Sequence, residues 1–408
     1  MKKYFAALLL CAASALLPAE TRGAKSLRDF GVLPENSPRQ NAKNFQAAID
    51  EMSKIGGAIF VEPAAGGYPM ASGIILRKNV SLIGAHGPVS RGTSAASGAP
   101  TGSLFIITDA DKPFITVQSA TTIRGIQFYY PRQTVDNPAK IIEYPPTIKR
   151  DPTASVYGIT LSCLTFYGEF CAMDFTTDKS SPQTLCELVL IEHCYGYPLS
   201  GEFIKIDRCY DVPRILHCHV NPANMRLFKG VFSKAVKDSV VARKTFAYSI
   251  ETTDNAQIID IFTFGTYGGI KLGAKTYGQL TNFNFDCVCV GILKDGNQDF
   301  NRNWQIAQGS IIANVGGKIE DVHPIIIRGF GHTSLANVEA FSGHNKVITT
   351  LGESFDYLYV APGGAPTIFL SGCRMRNYKA DNPITNKNPK AKIRASGCID
   401  KHLNFFEL

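Results

Sequence analysis

Two short segments carry side chains that could move protons, and both alternate apolar with polar residues. In the segment 216–221 the polar residues are His217, His219 and Asn221, and Arg214 lies just before it. Period-two alternation predicts a strand whose polar side chains point to solvent. Imidazoles take or give protons, and a guanidinium stabilises developing negative charge. We therefore predict that His217, His219 and Arg214 are catalytic and that Asn221 binds substrate.

The second segment, 282–287, places Asn282, Asn284 and Asp286 on the outer side of a predicted strand. Asp260 lies 22 residues before Asn282, the same distance that separates other matching segments in this region. Carboxylates could act as acids, bases or cation ligands, and amides could bind the hydroxyl groups of a substrate. We predict Asp286 and Asp260 as catalytic residues and Asn282 and Asn284 as substrate-binding residues.

Three further residues complete the predicted site. His193 lies 24 residues before His217, Glu251 and Asp254 lie between the two segments, and we predict that all three bind substrate. Each predicted site residue also has a simpler interpretation, as a solvated surface residue or as part of a structural ladder. We predict no metal site, because His217 and His219 supply two ligands without an identifiable third and no Cys-x-x-Cys motif occurs.

Repeats indicate how these segments could be brought together. Six cysteines form two interleaved series with spacings of 23 or 24 residues, Cys163, Cys186 and Cys209 in one and Cys171, Cys194 and Cys218 in the other. A period of this length with about three short strands is typical of a parallel β-helix, whose coils stack about 4.8 Å apart. We expect each series to stack; a β-sandwich is the alternative fold. The stacked cysteines could be buried free thiols, which we favour, or disulfides.

The two ends of the chain have distinct patterns. Residues 1–19 resemble a signal peptide, with lysines before an apolar stretch that ends in small residues. We predict a secreted or periplasmic protein whose mature domain, 20–408, forms the β-helix and does not insert into a membrane after signal cleavage. Apolar residues at helical spacing in 41–55 predict a helix that covers the first coil, and 381–408 is predicted to cover the last.

The segment 26–87, which holds this helix and the first predicted coils, resembles the N-terminal segment of the pectate lyase superfamily of right-handed β-helices. That superfamily includes polygalacturonase-like and rhamnogalacturonase-like proteins. The shared residues are, in order, Asp29-Phe30-Gly31, Ala47-Ala48-Ile49-Asp50, Gly56-Gly57, Pro63, Gly67-Tyr68 and Asn79-Val80-Ser81-Leu82-Ile83-Gly84. The resemblance implies an all-β fold, a single-stranded right-handed parallel β-helix with an N-terminal capping α-helix. It also favours a polysaccharide as the ligand or substrate.

The catalytic motifs of polygalacturonase-like hydrolases are absent from the sequence, and no two aspartates are adjacent. Lyases of the superfamily use a basic residue to remove a proton beside a uronate carboxylate, and Ca²⁺ or an Arg or Lys side chain stabilises the charge that develops. We therefore predict no cofactor, except Ca²⁺ if the protein is a lyase.

The formal charge of +8 is spread along the chain without a Lys/Arg block, so the usual footprint of a nucleic-acid-binding protein is missing. We predict an exported carbohydrate-active protein that acts on a polysaccharide, as a glycoside hydrolase or a polysaccharide lyase. An acidic polysaccharide, a polyuronate, is the substrate that we favour. The alternatives are a non-catalytic carbohydrate-binding or cell-surface β-helix protein and a phage-tail-like adhesin. A monomer and a trimer are equally compatible with the sequence.

Overall fold

Parallel strand pairing runs along the chain in the computed structural model, which describes residues 23–85, 100–177, 183–227, 233–299, 303–313, 322–342, 356–376 and 382–408. The predicted signal peptide, 1–19, lies outside these residues. Successive coils contribute strands to three ladders that follow one another around the molecule. The predicted parallel β-helix is therefore confirmed.

Each ladder draws its strands from successive coils. The first contains β1 (Ala24–Ser26), β2 (Gly57–Val61), β5 (Val80–Gly84), β8 (Thr121–Arg124), β11 (Val156–Ser162), β14 (Cys186–Glu192), β17 (Cys209–Tyr210), β18 (Arg214–Leu216), β21 (Ala256–Ile259), β24 (Gly278–Thr281), β27 (Asn303–Ala313), β29 (His332–Ser342), β31 (Thr367–Ser371) and β34 (Lys392–Ser396). The second contains the later parts of β27 and β29 together with β3 (Tyr68–Met70), β6 (Leu104–Ile107), β9 (Gln127–Tyr129), β12 (Thr165–Tyr167), β15 (Tyr195–Gly196), β19 (His219–Val220), β22 (Phe262–Phe264), β25 (Asn284–Val288), β32 (Arg374–Met375), β35 (Cys398–Ile399) and β36 (Phe405–Phe406).

The third ladder contains β4 (Ile74–Leu76), β7 (Ile115–Val117), β10 (Ile148–Arg150), β13 (Cys171–Phe175), β16 (Glu202–Ile206), β20 (Phe246–Thr252), β23 (Gly268–Lys275), β26 (Val290–Lys294), β28 (His323–Gly329), β30 (Leu358–Gly364) and β33 (Ile384–Asn386). It is an 11-stranded sheet, whereas β27 and β29 join the first two ladders into one sheet of 25 strands. At the C-terminal end, β36 turns back antiparallel to β35.

A single residue with positive φ turns the chain from the first ladder to the second. Left-handed backbone is costly for most residues but is adopted more readily by Gly, Asn, Asp and His. From coil to coil the residues at this turn are Gly125, Cys163, His193, His217, Asp260, Asn282, Gln308, Asn337, Gly372 and Gly397, with φ between 52° and 69°. The turn interrupts the inward–outward alternation, so the strands on its two sides follow separate patterns.

Inward side chains stack in columns that fill the interior. The first position after this turn is buried in every coil from the third onward, as Ile126, Leu164, Cys194, Cys218, Ile261, Phe283, Gly309, Val338, Cys373 and Cys398. Gly309 makes room for the ring of Phe283, since a Cβ there would lie 2.1 Å from a ring carbon. The apolar columns thus carry the core from one coil to the next.

Only part of the predicted cysteine stacking is correct. Cys186 aligns with Cys209 on the next coil, and Cys194 aligns with Cys218. Cys163 aligns instead with His193, and Cys171 with Glu202, so both predicted series are wrong in their first step. The cause is the length of that coil, in which 30 residues separate the aligned pair Val156 and Cys186. All ten cysteines in the described residues are free thiols.

Helix α1 (Pro38–Met52) covers the first coil, as the apolar spacing predicts. Its buried apolar residues are Phe45, Ala48, Ile49 and Met52. The helix begins three residues earlier than predicted because Ser37 accepts a hydrogen bond from the Gln40 amide and Pro38 occupies the first position. Asn41, the first residue of the predicted range, is buried inside the helix and donates to the carbonyl of Pro69 at 2.9 Å.

Two excursions leave the coils between the second and third ladders. The first, 130–147, contains the 3-10 helix Pro138–Lys140. The second follows β19 with the 3-10 helix Pro222–Leu227 and then helix α2 (Lys234–Ala242), which the sequence analysis did not predict. Arg243 lies 2.7 Å from Glu143 and links the two excursions. We call residues 130–147 and 233–245 the annex.

Candidate functional site

The outer face of the third ladder carries a groove. Two neighbouring cavities lie on it, with volumes of about 490 and 350 Å³. They share Lys244, Phe246, Leu293 and Arg328 as lining residues, so they form one continuous depression, which we call the third-ladder groove. A concave surface that extends over several coils suits an extended ligand.

Strand register arranges the groove residues in columns. The central column runs through Lys205, Ser249, Lys271, Leu293, Ile326 and Tyr359. Consecutive members lie on paired strands, so their backbones are about 4.8 Å apart. The residues before and after each of them along the strand are buried. Because the first three members are polar and the last three are not, the groove has a charged half and an apolar half.

The charged half contains two lysines that are each paired with a glutamate. Lys271 Nζ lies 2.7 Å from Glu251 Oε1, and Lys205 Nζ lies 3.4 Å from Glu202 Oε1. Burial lowers the pKa of Lys205, but the surrounding carboxylates, Glu202 first, outweigh it and hold that pKa above its ordinary value. Ser249 lies between the two lysines in the central column. This half therefore presents two lysine ammonium groups, each held in an ion pair, beside a hydroxyl group.

The apolar half offers aromatic and aliphatic surface. It is lined by Phe246, Tyr267, Leu293, Ile326 and Tyr359. The rings of Phe246 and Tyr267 meet edge to face, with centroids 5.9 Å apart. Aromatic side chains provide a large apolar area in a fixed orientation, which suits the apolar face of a sugar ring.

A histidine paired with a buried aspartate also lines the apolar half. His323 Nδ1 lies 3.1 Å from Asp356 Oδ1, and the side chains are 14% and 4% exposed. The imidazole stacks on the ring of Tyr359, with centroids 4.6 Å apart and an interplanar angle of 30°. Neither residue was predicted from the sequence, because only the strand register brings together His323 at the start of β28 and Asp356 just before β30.

The annex forms one wall of the groove. Lys244 and Thr245 follow helix α2 and line the charged half, and Thr245 Oγ1 donates to the carbonyl of Ser200 at 2.6 Å. The guanidinium of Arg243 lies over the ring of Phe170, 4.8 Å from its centroid. These contacts fix the annex to the coils and thereby position the wall.

Four of the predicted site residues occupy the left-handed turn between the first and second ladders. They are His193, His217, Asp260 and Asn282, one in each of four consecutive coils. The rings of His193 and His217 stack with centroids 4.7 Å apart, and His217 Nδ1 lies 2.7 Å from Asp260 Oδ2. Each coil has three sides, and this corner joins the first and second ladders, so it lies opposite the third ladder. The turn thus brings these residues together but away from the groove.

The other predicted residues are divided among several faces. His219, Asn284 and Asp286 lie on the second ladder, where His219 stacks on Phe262 with centroids 4.3 Å apart. Arg214 lies on the first ladder and donates to the carbonyl of Val212. Asp254 lies between β20 and β21, and its Oδ1 faces the Val212 amide. Glu251 alone lies in the third-ladder groove.

The predicted outward orientation of Asn221 is wrong. Its side chain is buried, and its Oδ1 accepts a hydrogen bond from the Ala223 amide at 2.9 Å. The reason is the excursion that begins here: Asn221 caps the 3-10 helix Pro222–Leu227 instead of facing solvent.

We expect a change at His217 to affect stability through the backbone. Replacing His217 with alanine should lower the free energy of unfolding by about 1 kcal/mol, because alanine adopts left-handed backbone poorly. Asparagine should cost less, since it tolerates this conformation. Urea-induced unfolding of the two variants measures the difference, and an equal loss would contradict a backbone origin.

The residues present do not fit a Ca²⁺ site. Among the described residues no group of three or more His, Cys, Asp and Glu side chains is placed to hold a metal ion. The two carboxylates that line the groove, Glu202 and Glu251, each face a lysine ammonium.

Within the described part of the chain, no helix is long and apolar enough to cross a membrane.

Comparison with known proteins identifies the fold. Neither a family model nor a curated protein sequence matches the chain. The structure of DFA-IIIase from Arthrobacter chlorophenolicus A6 without its lid, in complex with GF2, is 10% identical, covers 93% of this chain and 94% of its own, and has a TM-score of 0.62. The structure of DFA-IIIase in complex with GF2 is also 10% identical, with coverage of 91% and 94% and a TM-score of 0.61. These likenesses show that the chain has the right-handed parallel β-helix fold.

Proposed function

We propose that this protein is a carbohydrate-active enzyme that binds an acidic polysaccharide along the third-ladder groove and cleaves it. The main support is the groove itself, which combines paired cations with an apolar half in one continuous depression. Proteins of similar structure that act on carbohydrates add support for this class of ligand. The signal-like pattern of residues 1–19 supports a secreted or periplasmic location.

The charge of the groove favours an anionic polymer. The charged residues that line the groove are four cations and two carboxylates, Lys205, Lys244, Lys271, Arg328, Glu202 and Glu251, and Asp295, which pairs with Arg328, leaves an excess of one positive charge. Anionic groups such as uronate carboxylates would find both charge complementarity and hydrogen-bond donors there. A polyuronate therefore fits this site better than a neutral glycan does.

The arrangement of carboxylates favours elimination over hydrolysis. Glycoside hydrolysis usually needs two carboxyl groups roughly 5 to 10 Å apart, one of them protonated. Register places Glu251 opposite Asp207, five residues along from Glu202, so the backbones of the two glutamates are roughly 16 Å apart along the strand. Both glutamates are also held in ion pairs with lysines. We therefore propose a polysaccharide lyase.

Incubation with a panel of acidic glycans tests this function. A lyase should produce unsaturated products that absorb ultraviolet light, together with new reducing ends. Reducing ends without that absorbance would show a hydrolase instead. Binding to an immobilised glycan with neither product would support the alternative, a non-catalytic carbohydrate-binding protein.

Adding a chelator tests whether Ca²⁺ or the lysines of the groove neutralise the substrate carboxylate. Because Glu202 and Glu251 face lysines, we expect turnover of the polyuronate to persist when a chelator removes Ca²⁺. The rate should change by less than about twofold. Loss of turnover that added Ca²⁺ restores would contradict this expectation.

A further inference from the structure

The third-ladder groove contains one histidine whose surroundings prepare it for proton transfer. His323 lines the smaller cavity together with Lys244 and Arg328. On the basis of the proposed lyase function, we propose that His323 Nε2 is the base that removes the proton from the substrate and that Asp356 orients it. Asp356 is a positioning residue, since its side chain is almost wholly buried behind the imidazole.

The aspartate decides which ring nitrogen can accept a proton. An ionised carboxylate only accepts hydrogen bonds, so the 3.1 Å contact to Asp356 Oδ1 places the neutral ring's proton on Nδ1. Nε2 then carries the lone pair. The stack on Tyr359 restrains rotation of the ring. Together these contacts hold the imidazole in the tautomer and orientation that a base requires.

The position of His323 also fits the charge that elimination creates. The base takes the proton from the carbon beside the uronate carboxylate, and the electron pair left behind forms a double bond to the next carbon. The bond from that carbon to the glycosidic oxygen breaks, and the oxygen leaves with its electron pair and takes the proton from the imidazolium. Lys244 lines the same cavity and can stabilise the negative charge on the carboxylate during this step, whereas Arg328, which also lines it, is paired with Asp295.

A second His–Asp pair in the chain shows why the cavity matters. His217 and Asp260 are closer, at 2.7 Å, but their side chains are 45% and 59% exposed on the corner between the first and second ladders. Neither residue lines the third-ladder groove. Water at an exposed corner weakens electrostatic interactions with a substrate, whereas a partly enclosed cavity strengthens them. The groove pair is therefore the one suited to catalysis.

Three variants of the full chain test the proposal with separate measurements of turnover, glycan binding and melting temperature. His323→Ala should lower kcat by about 100-fold to 10,000-fold. Asp356→Asn should lower it by about 10-fold to 100-fold, because the tautomer is no longer enforced. The dissociation constant for the polyuronate should change little in both variants. His332→Ala, at an exposed position on the first ladder, is the matched control and should leave turnover unchanged.

The outcomes separate the two proposals. Turnover retained by His323→Ala would overturn the role of His323 and leave the lyase function standing. Equal losses of turnover and binding in this variant would assign His323 to substrate binding and also overturn its role as the base. Absence of elimination products from the unaltered protein on every acidic glycan would overturn the lyase function, and the base with it. A matching fall in melting temperature for Asp356→Asn would reduce that residue to a structural role.

Discussion

Replacing Lys205 and Lys271 together with glutamine should weaken binding of an acidic polysaccharide about 100-fold. Both ammonium groups line the charged half of the third-ladder groove, on either side of Ser249 in the central column. A hydrogen bond to a charged group contributes about 1.5 kcal/mol or more, and two such losses correspond to about two orders of magnitude in the dissociation constant. Titration with a polyuronate oligosaccharide measures the change.

A matched double variant controls for net charge. Lys54 and Lys78 are exposed near helix α1 and outside the groove, so changing both to glutamine removes the same charge elsewhere. Their replacement should affect binding by less than about threefold. The difference between the two double variants should shrink at high salt, because ions screen the lysines. Equal effects of the two variants would show that general surface charge, and not the groove, holds the polymer.

Replacing Glu169 with glutamine should stabilise the protein at alkaline pH by about 5 kcal/mol. The Glu169 side chain is fully buried, and the backbone amides of Glu169 and Tyr197 only partly offset the effect of burial on its carboxylate. Its oxygen lies against Gly196, where a Cβ would be 2.4 Å away. Burial raises the pKa of Glu169 from 4.5 to about 8. Each pKa unit corresponds to about 1.4 kcal/mol.

The sign of the pH dependence follows from which state holds the proton. Between pH 4.5 and about 8 the unfolded chain has lost the Glu169 proton while the folded protein still binds it. Stability therefore falls as the pH rises through this window and levels off above it. Glutamine cannot ionise, so its advantage should be small at pH 4.5 and largest above pH 8. Urea-induced unfolding across this range measures the difference between the two proteins.

A surface glutamate provides the control for this variant. Glu35 is exposed, so Glu35→Gln should change the unfolding free energy by less than about 0.5 kcal/mol at any pH in the window. If Glu169→Gln gains no stability as the pH rises, then Glu169 is not held in its protonated form inside the fold.

The fold could be predicted because the signals that define it are local. Alternation correctly placed Phe283 and Phe285 inside and Asn284 outside. It failed next to the left-handed residues, which change the phase of the pattern. Leu216, expected inside, is only half-buried because His217 turns the chain, and Cys287, also expected inside, has φ 55° and is half-buried.

The site was harder to predict because its residues meet only through register. Lys205, Ser249 and Lys271 lie in adjacent coils, yet they are 44 and 22 residues apart because the annex lengthens one coil. His323 and Asp356 are likewise 33 residues apart, one full coil that is longer than the period of about 23. Coil lengths vary with each excursion, so a fixed period of about 23 residues could not align these positions. The predicted histidine cluster did align, but at a turn whose backbone alone favours His, Asp and Asn.

The central claim is that an acidic polysaccharide lies in the third-ladder groove, and a crystal structure tests it most directly. The His323→Ala variant, soaked with an acidic oligosaccharide, should retain the ligand uncleaved. We expect its carboxylate groups to contact Lys205 and Lys271 and a sugar ring to pack against Tyr359. An oligosaccharide bound instead along His193, His217 and Asp260 would contradict the account and place the site at the opposite corner of the coil.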